Sequence, residues 1–404
     1  MGLLRIFELP ESPRGAVVNV MMFVANVYGP DPRVQKEARA LSNAGHRVEI
    51  IAWDRLGKYP AEEKEGATTI RRVKVLSTFG RGLAQLPVLV RVLWSFARIG
   101  RSQKADVIHC HDLDTLPAGV LAVLFRKDRP HLIYDSHENF PVQKAAELPR
   151  LALPVLALLE WFCVRFVDRI ITASSILASE FRRRYGKSVT LISNFALKED
   201  FEIDEKRIEE LRTNLGYGPD DIVIAYIGGL RPARVIVPMI RAVVQRPQIK
   251  MFICGEGEQR QEIEMLCHET QNVHYLGSIP QSQIIPYYFA ADVIYYGLKT
   301  YPGAKYNAPN NFSYALLAGR IVMGSDVGDL GVFLRESGCG ILLAGTSEQE
   351  LGGAIDKLLL DKHALGGMKR AARLMGVSKY HWGEMESRLT SLYQELCRRE
   401  ETVV

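Results

Sequence analysis

Apolar and polar positions follow two regular series along the chain. In the first series, short apolar runs typical of buried parallel strands alternate with segments of helical spacing. For example, Val34, Ala38 and Leu41 recur at helical spacing before Gly45, a plausible C-cap. The runs predict strands at 16–24, 47–53, 73–75, 106–112, 131–137, 168–174 and 189–194. This half is therefore predicted to be an α/β domain with a doubly wound parallel sheet.

The second series begins after a polar, acidic connector at 195–220, which holds a predicted helix at about 205–215. Its apolar runs predict strands at 221–228, 249–255, 273–277, 292–297, 320–324 and 340–344. A final amphipathic helix is predicted over 379–399. We therefore expect one domain over 1–197, a second over 198–378, and a C-terminal helical segment, 379–404, that packs back toward the first domain.

Two predicted helices of the first half, 83–100 and 151–167, are unusually apolar. The first carries Arg91, Arg98 and Trp94 among leucines and valines. Such helices lie in a membrane interface in some proteins, but most apolar helices of α/β domains pack against the sheet. The sequence leaves both interpretations open, and peripheral contact with an anionic membrane is one of them.

Composition favours a cytoplasmic protein. The 404 residues are 47% hydrophobic, which is ample for two cores. The six cysteines are scattered without paired spacing, which fits a reducing compartment. The first residues do not resemble a signal peptide, and no run of about 20 apolar residues predicts a transmembrane helix. We expect a cytoplasmic location, with membrane association on the inner face as an open alternative.

Charge is distributed unevenly. Residues 1–193 hold 28 Lys and Arg against 19 Asp and Glu, whereas residues 194–404 hold the remaining 23 and 27. A basic first half suits an anionic partner such as lipid head groups or a phosphorylated acceptor. Ordinary surface charge explains the same excess, because the basic residues are spread out.

Candidate chemistry in the first half follows three predicted strands. After the first strand, a glycine-containing turn holds Gly29, Asp31 and Arg33, and a plain turn is the simpler interpretation. After the fourth strand, the sequence HCHD places His109 and His111 on one side of the strand, followed by Asp112. This spacing suggests a metal site, but no third ligand is evident, and we expect no metal. The fifth strand leads to His137, which is either structural or part of a site.

Candidate chemistry in the second half is suited to phosphate groups. A predicted strand ends in Gly228 and Gly229, and Arg231 and Arg234 follow, so backbone N–H groups and guanidinium groups meet in one loop. The next strand leads into a Gly-x-Gly turn at Gly255 and Gly257. A later loop and helix, 307–326, offers further backbone N–H groups at Asn310, Asn311, Phe312 and Ser313.

The order of these motifs resembles that of the retaining glycosyltransferases of family 4, which have the GT-B fold of two Rossmann-like halves facing an interdomain cleft. The resemblance implies that the first half binds the acceptor with Gly29, Asp31, Arg33 and His111. It implies that Asp112 and His137 lie beside the reacting sugar, as catalytic residues. It also implies that the segment 276–284 holds the base of the donor, with Leu276 and Ile279 packed against it.

The donor side departs from the family pattern at several positions. Arg234 stands where the family has a lysine on the phosphates, but Gly229 replaces the family arginine, and Arg231 is displaced from that position by two residues. Val235 replaces a usual glycine. The two family glutamates, eight residues apart, correspond to Tyr306 and Tyr314. A phenol offers fewer hydrogen bonds than a carboxylate, so the donor is either held differently or bound less strongly.

The function that the resemblance implies is transfer of a sugar, with retention, from a nucleoside-diphosphate sugar to a glycan, lipid-linked or other acceptor. It implies no metal, no cofactor besides the donor, and no nucleic acid partner. The two tyrosines keep a second hypothesis open, a catalytically silent homologue that serves as a binding or scaffolding subunit in glycan assembly. A third is another GT-B enzyme, such as an epimerase or a phosphorylase.

Overall fold

The computed structural model describes residues 17–29, 31–78, 82–140, 152–301, 303–306, 311–360 and 362–401. These residues form a mostly parallel sheet of eight strands and a parallel sheet of six. The described residues within Met1–Ser136, Glu147–Ile171 and Glu386–Val404 group into one compact unit, and those within His137–Ala146 and Thr172–Met385 into a second.

The larger sheet has the strand order β3-β4-β2-β1-β5-β6-β7-β8. β1 and β2 pair in parallel with continuous register from Asn19 opposite Arg47 to Val24 opposite Ala52. The only antiparallel pair whose register is described in this sheet joins β3 to β4. The strands are β1 Asn19–Val24, β2 Arg47–Trp53, β3 Glu62–Glu65, β4 Thr68–Val73, β5 Val107–His111, β6 His131–Ser136, β7 Arg169–Thr172 and β8 Val189–Leu191.

The helices that follow these strands begin with identifiable caps. Asp31 accepts a hydrogen bond from Val34 N at the start of α1, and Ser174 accepts one from Leu177 N at the start of α5. The helices are α1 Pro32–Asn43, α2 Leu86–Ser102, α3 Leu116–Val123, α4 Ala152–Val164 and α5 Ser175–Tyr185.

The smaller sheet is parallel throughout, in the order β11-β10-β9-β12-β13-β14. Its strands are β9 Ile222–Ile227, β10 Ile249–Cys254, β11 Val273–Tyr275, β12 Val293–Tyr296, β13 Ile321–Gly324 and β14 Gly340–Leu342. The helices are α6 Glu205–Asn214, α7 Ile236–Val244, α8 Arg260–His268, α9 Ile285–Ala290, α10 Phe312–Leu317, α11 Gly328–Ser337, α12 Glu348–Leu360, α13 Lys362–Ser378 and α14 Trp382–Glu401. β9 is buried at every position, as its continuous apolar run predicts.

The predicted α/β class and the two successive sheets are confirmed. The main difference concerns β3 and β4, where the sequence predicted a single strand at 73–75. β3 has the sequence EEKE and is exposed at all four positions, so it carries no hydrophobic signal. No helix in the described part of the chain is both long and apolar enough to cross a membrane.

Candidate functional site

Three loops at the C-terminal ends of β9, β10 and β11 are joined to one another in the second unit. Gly228 N donates to Cys254 O at 3.0 Å, Leu230 N donates to Glu256 O at 2.9 Å, and Gly255 N donates to Gly277 O at 2.9 Å. The C-terminal edge of a parallel sheet is where α/β folds bind ligands. These bonds make the glycine-rich loops one continuous backbone surface at that edge.

Two glycines are required for this contact between loops. A Cβ atom at Gly255 would overlap the carbonyl oxygen of Gly228, and one at Gly257 would lie 2.5 Å from Leu230 O. Their φ angles are +149° and +155°, which side chains rarely allow. Gly229 differs, since a Cβ there would meet nothing nearer than Arg231 Nε at 3.8 Å.

Two arginines stand beside these loops. Arg231 is exposed and Arg234 half-buried, and neither guanidinium has an ion pair or side-chain hydrogen bond to any residue in the described ranges. Nearby, Tyr226 donates from its hydroxyl to Gly229 O at 2.7 Å. Burial raises the pKa of Tyr226 to about 12, and the charges of Arg234 and Arg231 oppose that rise. The arrangement places two uncommitted positive charges next to backbone suited to an anion.

Val235, where the resemblance implies a glycine, takes a glycine-like conformation. Its φ is +55° and its ψ +37°, in the left-handed region, and its side chain is buried. A β-branched residue in this region is a genuine outlier. The Tyr295 hydroxyl donates to Val235 O at 3.1 Å and helps to hold the strained residue.

Tyr306 and Tyr314, which the resemblance aligns with two glutamates of the family, each have a polar partner. Tyr306 donates from its hydroxyl to a Glu180 carboxylate oxygen at 2.6 Å, and the Lys305 ammonium lies 3.9 Å from the same oxygen. Burial raises the pKa of Tyr306, and the hydrogen bond to Glu180 raises it further. Tyr314 accepts a hydrogen bond from the Gln281 amide at 2.9 Å. Sequence reasoning missed Glu180 and Gln281, since neither lies in a recognisable motif.

The start of α10 is mostly buried. Ser313 accepts a hydrogen bond from Ala196 N, and the Phe312 ring packs among Phe333 and Tyr380 at 5.1 and 5.4 Å. Phe312 and Ser313 are 4% and 0% exposed, so the structure buries both of these predicted donor-binding residues. The side-chain amide of Asn311 donates a hydrogen bond to Ile227 O at 3.4 Å. Asn310 lies outside the described residues.

The segment proposed to hold the base follows β11. Leu276 and Ile279 are half-buried, so part of each apolar side chain is available for packing against a ring. Leu276 N donates to Ile253 O at 2.9 Å, which ties the segment to β10. Gln281, the partner of Tyr314, follows two residues after Ile279 and belongs to the same segment.

A buried ionic cluster lies near the C-terminal ends of β5 and β6 in the first unit. Arg33 donates to both carboxylate oxygens of Asp135 at 2.9 Å and lies 3.1 Å from Glu37. Burial lowers the pKa of Arg33, but the charges of Asp135 and Glu37 outweigh that effect and raise it. His109 and His111 stack with ring centroids 4.4 Å apart beside these carboxylates.

Two residues of this cluster were predicted to contact the acceptor, and both are buried. Arg33 and His111 are 5% and 3% exposed. His111 Nδ1 lies 3.5 Å from Asp135. Its backbone carbonyl accepts a hydrogen bond from Thr115 Oγ1 at 2.7 Å. The structure thus gives Arg33 and His111 structural partners whether or not they also meet a ligand.

Asp112 is half-buried and strained. Its φ is +63°, and its N–H donates to Asp135 O at 2.8 Å, which fixes this conformation. Left-handed backbone in a residue other than glycine is found disproportionately at functional sites. His137 directly follows β6 and is half-buried. In the turn after β1, Gly29 is half-buried, and Asp31 caps α1.

The ionic cluster also has the composition of a metal site. Glu37, His109, His111 and Asp135 each offer a ligand atom, and these atoms lie within 4.8 Å of one another. However, the Arg33 guanidinium already bonds to Asp135 and lies against Glu37, so a cation is present among the carboxylates. Metal independence remains a prediction.

Two family models match most of the chain. Residues 28–194 match the Glycosyl transferase 4-like domain, and residues 207–375 match Glycosyl transferases group 1. An uncharacterized glycosyltransferase of Methanocaldococcus jannaschii is 23% identical over 370 residues, covering 88% of this chain and 92% of its own.

Solved structures are similar in fold. Sucrose-phosphate synthase from Thermosynechococcus elongatus matches with a TM-score of 0.75 at 18% identity, covering 94% of this chain and 99% of its own. Anabaena HepE in complex with UDP-glucose matches with a TM-score of 0.69 at 16% identity, covering 94% and 100%. The fold is therefore GT-B, as the sequence resemblance implied.

Proposed function

The chain belongs to the group 1 glycosyltransferases of family 4, and we propose that it transfers a sugar from a nucleoside-diphosphate sugar to a glycan or lipid-linked acceptor. We propose further that the anomeric configuration is retained and that no metal ion takes part. The similar Anabaena protein was crystallised with UDP-glucose, which makes a uridine nucleotide sugar the first donor to examine.

The observation that carries this proposal is the pair of uncommitted guanidinium groups beside the glycine loops. Arg231 and Arg234 would bind the diphosphate together with backbone N–H groups of the loops. When the bond between the sugar and the diphosphate breaks, negative charge grows on the departing phosphate. Two fixed positive charges stabilise that charge, a role that a metal ion has in other transferases.

We propose that residues from other elements take the role of the two glutamates that the family resemblance implies. Glu180 on α5 brings a carboxylate to the Tyr306 hydroxyl, and we assign to this pair the recognition of sugar hydroxyls. Gln281 and Tyr314 together offer an amide and a phenol, which we assign to the ribose. These substitutions favour an active donor site over a silent one.

The acceptor is assigned to the first unit. The strained Asp112 follows β5, next to the buried cluster that fixes its backbone through Asp135. We assign to Asp112 a direct contact with the acceptor and to His137 a hydrogen bond to the reacting sugar. The buried Arg33 and His111 are assigned to positioning rather than to contact.

A cytoplasmic location is also proposed. The five cysteines that the structure describes as free thiols are all buried, and none forms a disulfide. Unpaired cysteines are typical of reducing compartments.

Consumption of donor tests the proposal. The full chain is incubated with UDP-, GDP-, ADP- and TDP-sugars, and release of the nucleoside diphosphate is measured with and without EDTA. We expect turnover of at least one donor, unchanged by EDTA, and strongly reduced in Arg234→Ala. Absence of turnover together with absence of binding for every donor would favour the silent homologue instead.

A further inference from the structure

Helix α4 of the first unit is apolar on nearly all sides, yet much of it faces solvent. Val155, Leu158, Trp161 and Phe162 are all exposed, and Glu160 is buried, where it accepts a hydrogen bond from Tyr134 at 2.8 Å. A helix that is hydrophobic all round is normally buried. The exposed side of α4 therefore needs an explanation beyond the fold of this unit.

Helix α2 has a similar exposed stripe. Leu86, Val90 and Trp94 follow one another at four-residue spacing and are exposed, with Trp94 at 66%. The opposite side of α2, with Val92 and Phe96, is buried. Thus α2 has the expected packing face and a second apolar face that the fold does not use.

Another exposed aromatic lies just after α3. Phe125 is 94% exposed and has a φ of +59°. Left-handed backbone is uncommon for a bulky residue, and near-complete exposure removes any packing reason for it. The conformation holds an aromatic ring out from the end of the helix.

The three helices lie side by side on one face of the sheet. Helix α2 connects β4 to β5, α3 connects β5 to β6, and α4 connects β6 to β7. Each connection moves in the same direction across the sheet, so right-handed crossovers place the three helices on the same face. Arg101 donates to Leu124 O at 2.7 Å and Arg126 to Gly100 O at 2.8 Å, which joins α2 to the end of α3. We call the exposed side of α2, α3 and α4 the helical face.

The charge of the helical face is positive. Glu160 is the only acidic residue in α2, α3 and α4, and it is buried. In the loop after α3, Asp128 is exposed but forms an ion pair with Arg126 at 2.7 Å. Arg91, Arg98 and Lys127 are exposed without an acidic partner among the residues that the structure describes, and Arg165 lies over the Trp161 ring at 5.0 Å. Exposed aromatic rings next to basic residues match the interface of an anionic bilayer, where rings lie at head-group depth and cations meet phosphates.

We propose that the helical face docks the protein on the surface of an anionic lipid bilayer. Trp94, Phe125 and Trp161 enter the interface, and Arg91 and Arg98 contact lipid phosphates. The apolar area favours a bilayer over a soluble anion, and the absence of exposed acid in the three helices favours anionic over neutral lipid. This docking does not depend on which donor the enzyme uses, and it is measured without turnover.

Flotation of the full chain with vesicles tests the docking. We expect binding to vesicles of phosphatidylcholine with phosphatidylglycerol, weaker binding to phosphatidylcholine alone, and a decrease with salt. Since each basic residue near such a surface contributes roughly fivefold, Arg91→Glu/Arg98→Glu should weaken binding by about tenfold or more. The matched control, Lys206→Glu/Arg207→Glu on the exposed side of α6, should bind like the unchanged protein.

Tryptophan fluorescence distinguishes insertion from simple charge attraction. Of the four tryptophans, Trp53 and Trp382 are buried, whereas Trp94 and Trp161 are exposed on the helical face. Brominated lipids should therefore quench the emission, and Trp94→Phe/Trp161→Phe should lose the quenching while it keeps vesicle binding. Trp94→Ser/Phe125→Ser should weaken binding, and Met265→Ser/Leu374→Ser, at exposed apolar positions in the second unit, should not.

Three results would overturn the proposal. One is the absence of binding to anionic vesicles. Another is vesicle binding that Lys206→Glu/Arg207→Glu weakens as much as Arg91→Glu/Arg98→Glu does. The third is a dimer in solution that Trp94→Ser/Phe125→Ser dissociates while vesicle binding is unchanged, which would assign the face to a second copy of the chain.

Discussion

At the scale of single residues, the charge beside the glycine loops comes from positions that differ from the family pattern. Arg231 Nε lies 3.8 Å from the place that a Cβ atom of residue 229 would take. The Arg231 side chain thus passes beside the position where the family has its arginine. A displaced arginine can then supply the same charge to a diphosphate.

A rescue experiment tests this displacement. Arg231→Ala should weaken the affinity for UDP by about tenfold or more, because a hydrogen bond to a charged group contributes roughly 1.5–3 kcal/mol. Gly229→Arg in the same chain should restore most of the affinity, since position 229 has room for a side chain. Arg207→Ala, an exposed arginine on α6, is the control. A double variant as weak as Arg231→Ala would show that Arg231 does not replace the family arginine.

Glu180 is expected to act on the sugar rather than on the nucleotide. Its carboxylate accepts the Tyr306 hydrogen bond at 2.6 Å. Glu180→Gln should raise KM for the nucleotide sugar by about tenfold or more, because a hydrogen bond to a charged group contributes roughly 1.5–3 kcal/mol. Its affinity for the nucleoside diphosphate alone should stay within about twofold, and Glu209→Gln on α6 should change neither value. Equal loss of both affinities would contradict the assignment.

The sequence predicts part of this site and not the rest, for a physical reason. Gly255 and Gly257 follow an apolar strand, and local spacing alone marks such turns. Glu180 lies 126 positions from Tyr306, and Gln281 lies 33 from Tyr314, so only the folded chain brings these partners together. The burial of Arg33 could not be predicted from the sequence either, because its partner Asp135 lies 102 positions away.

At the scale of elements, α7 begins at a strained residue. Val235 directly precedes Ile236 and has a φ of +55°. The family resemblance implies a glycine at position 235. The side chain is buried, so the strain of roughly 1–2 kcal/mol is offset by burial worth about 1.5–3 kcal/mol.

Replacement by glycine should therefore have little effect on stability at this position. Val235→Gly is expected to change the free energy of unfolding by about 1 kcal/mol or less, measured by urea denaturation. Val243→Gly removes a buried side chain from the same helix and relieves no backbone strain. Glycine is also roughly 1 kcal/mol less favourable than alanine inside a helix. We expect Val243→Gly to destabilise the protein by about 3 kcal/mol, and equal losses in the two variants would contradict the strain at Val235.

Element prediction succeeded where burial is continuous. β2 and the apolar strands of the second sheet lie where their runs predicted, within a residue or two at each end. β3 was missed because all four of its residues are exposed, and its pairing with β4 depends on backbone bonds rather than on side chains. The exposed side of α4 was not predicted either, because an apolar helix does not reveal from its sequence which side the sheet covers.

At the scale of the whole molecule, the end of the chain contributes to the first unit. Tyr393 of α14 is fully buried, and its hydroxyl lies 2.9 Å from His109 Nδ1 on β5. Tyr393→Phe removes this bond and should lower the free energy of unfolding by roughly 1–2 kcal/mol. Tyr301→Phe, at an exposed tyrosine, should leave it unchanged. Equal stability of both variants would show that the buried bond contributes nothing.

Charge at this scale agrees with a division of tasks. The basic excess lies in residues 1–193, which include the helical face and the proposed acceptor residues. In the second unit, Arg231 and Arg234 lie beside the glycine loops without an ion pair among the described residues, where we propose that a diphosphate binds. We propose that these loops hold the donor.

Donor binding is measured by calorimetric titration of the full chain with a panel of nucleotide sugars. We expect saturable binding of at least one of the UDP-, GDP-, ADP- and TDP-sugars, weakened by about tenfold or more in Arg234→Ala and unchanged in Arg207→Ala. Binding that Arg234→Ala leaves intact, or no binding of any nucleotide sugar, would contradict this proposal.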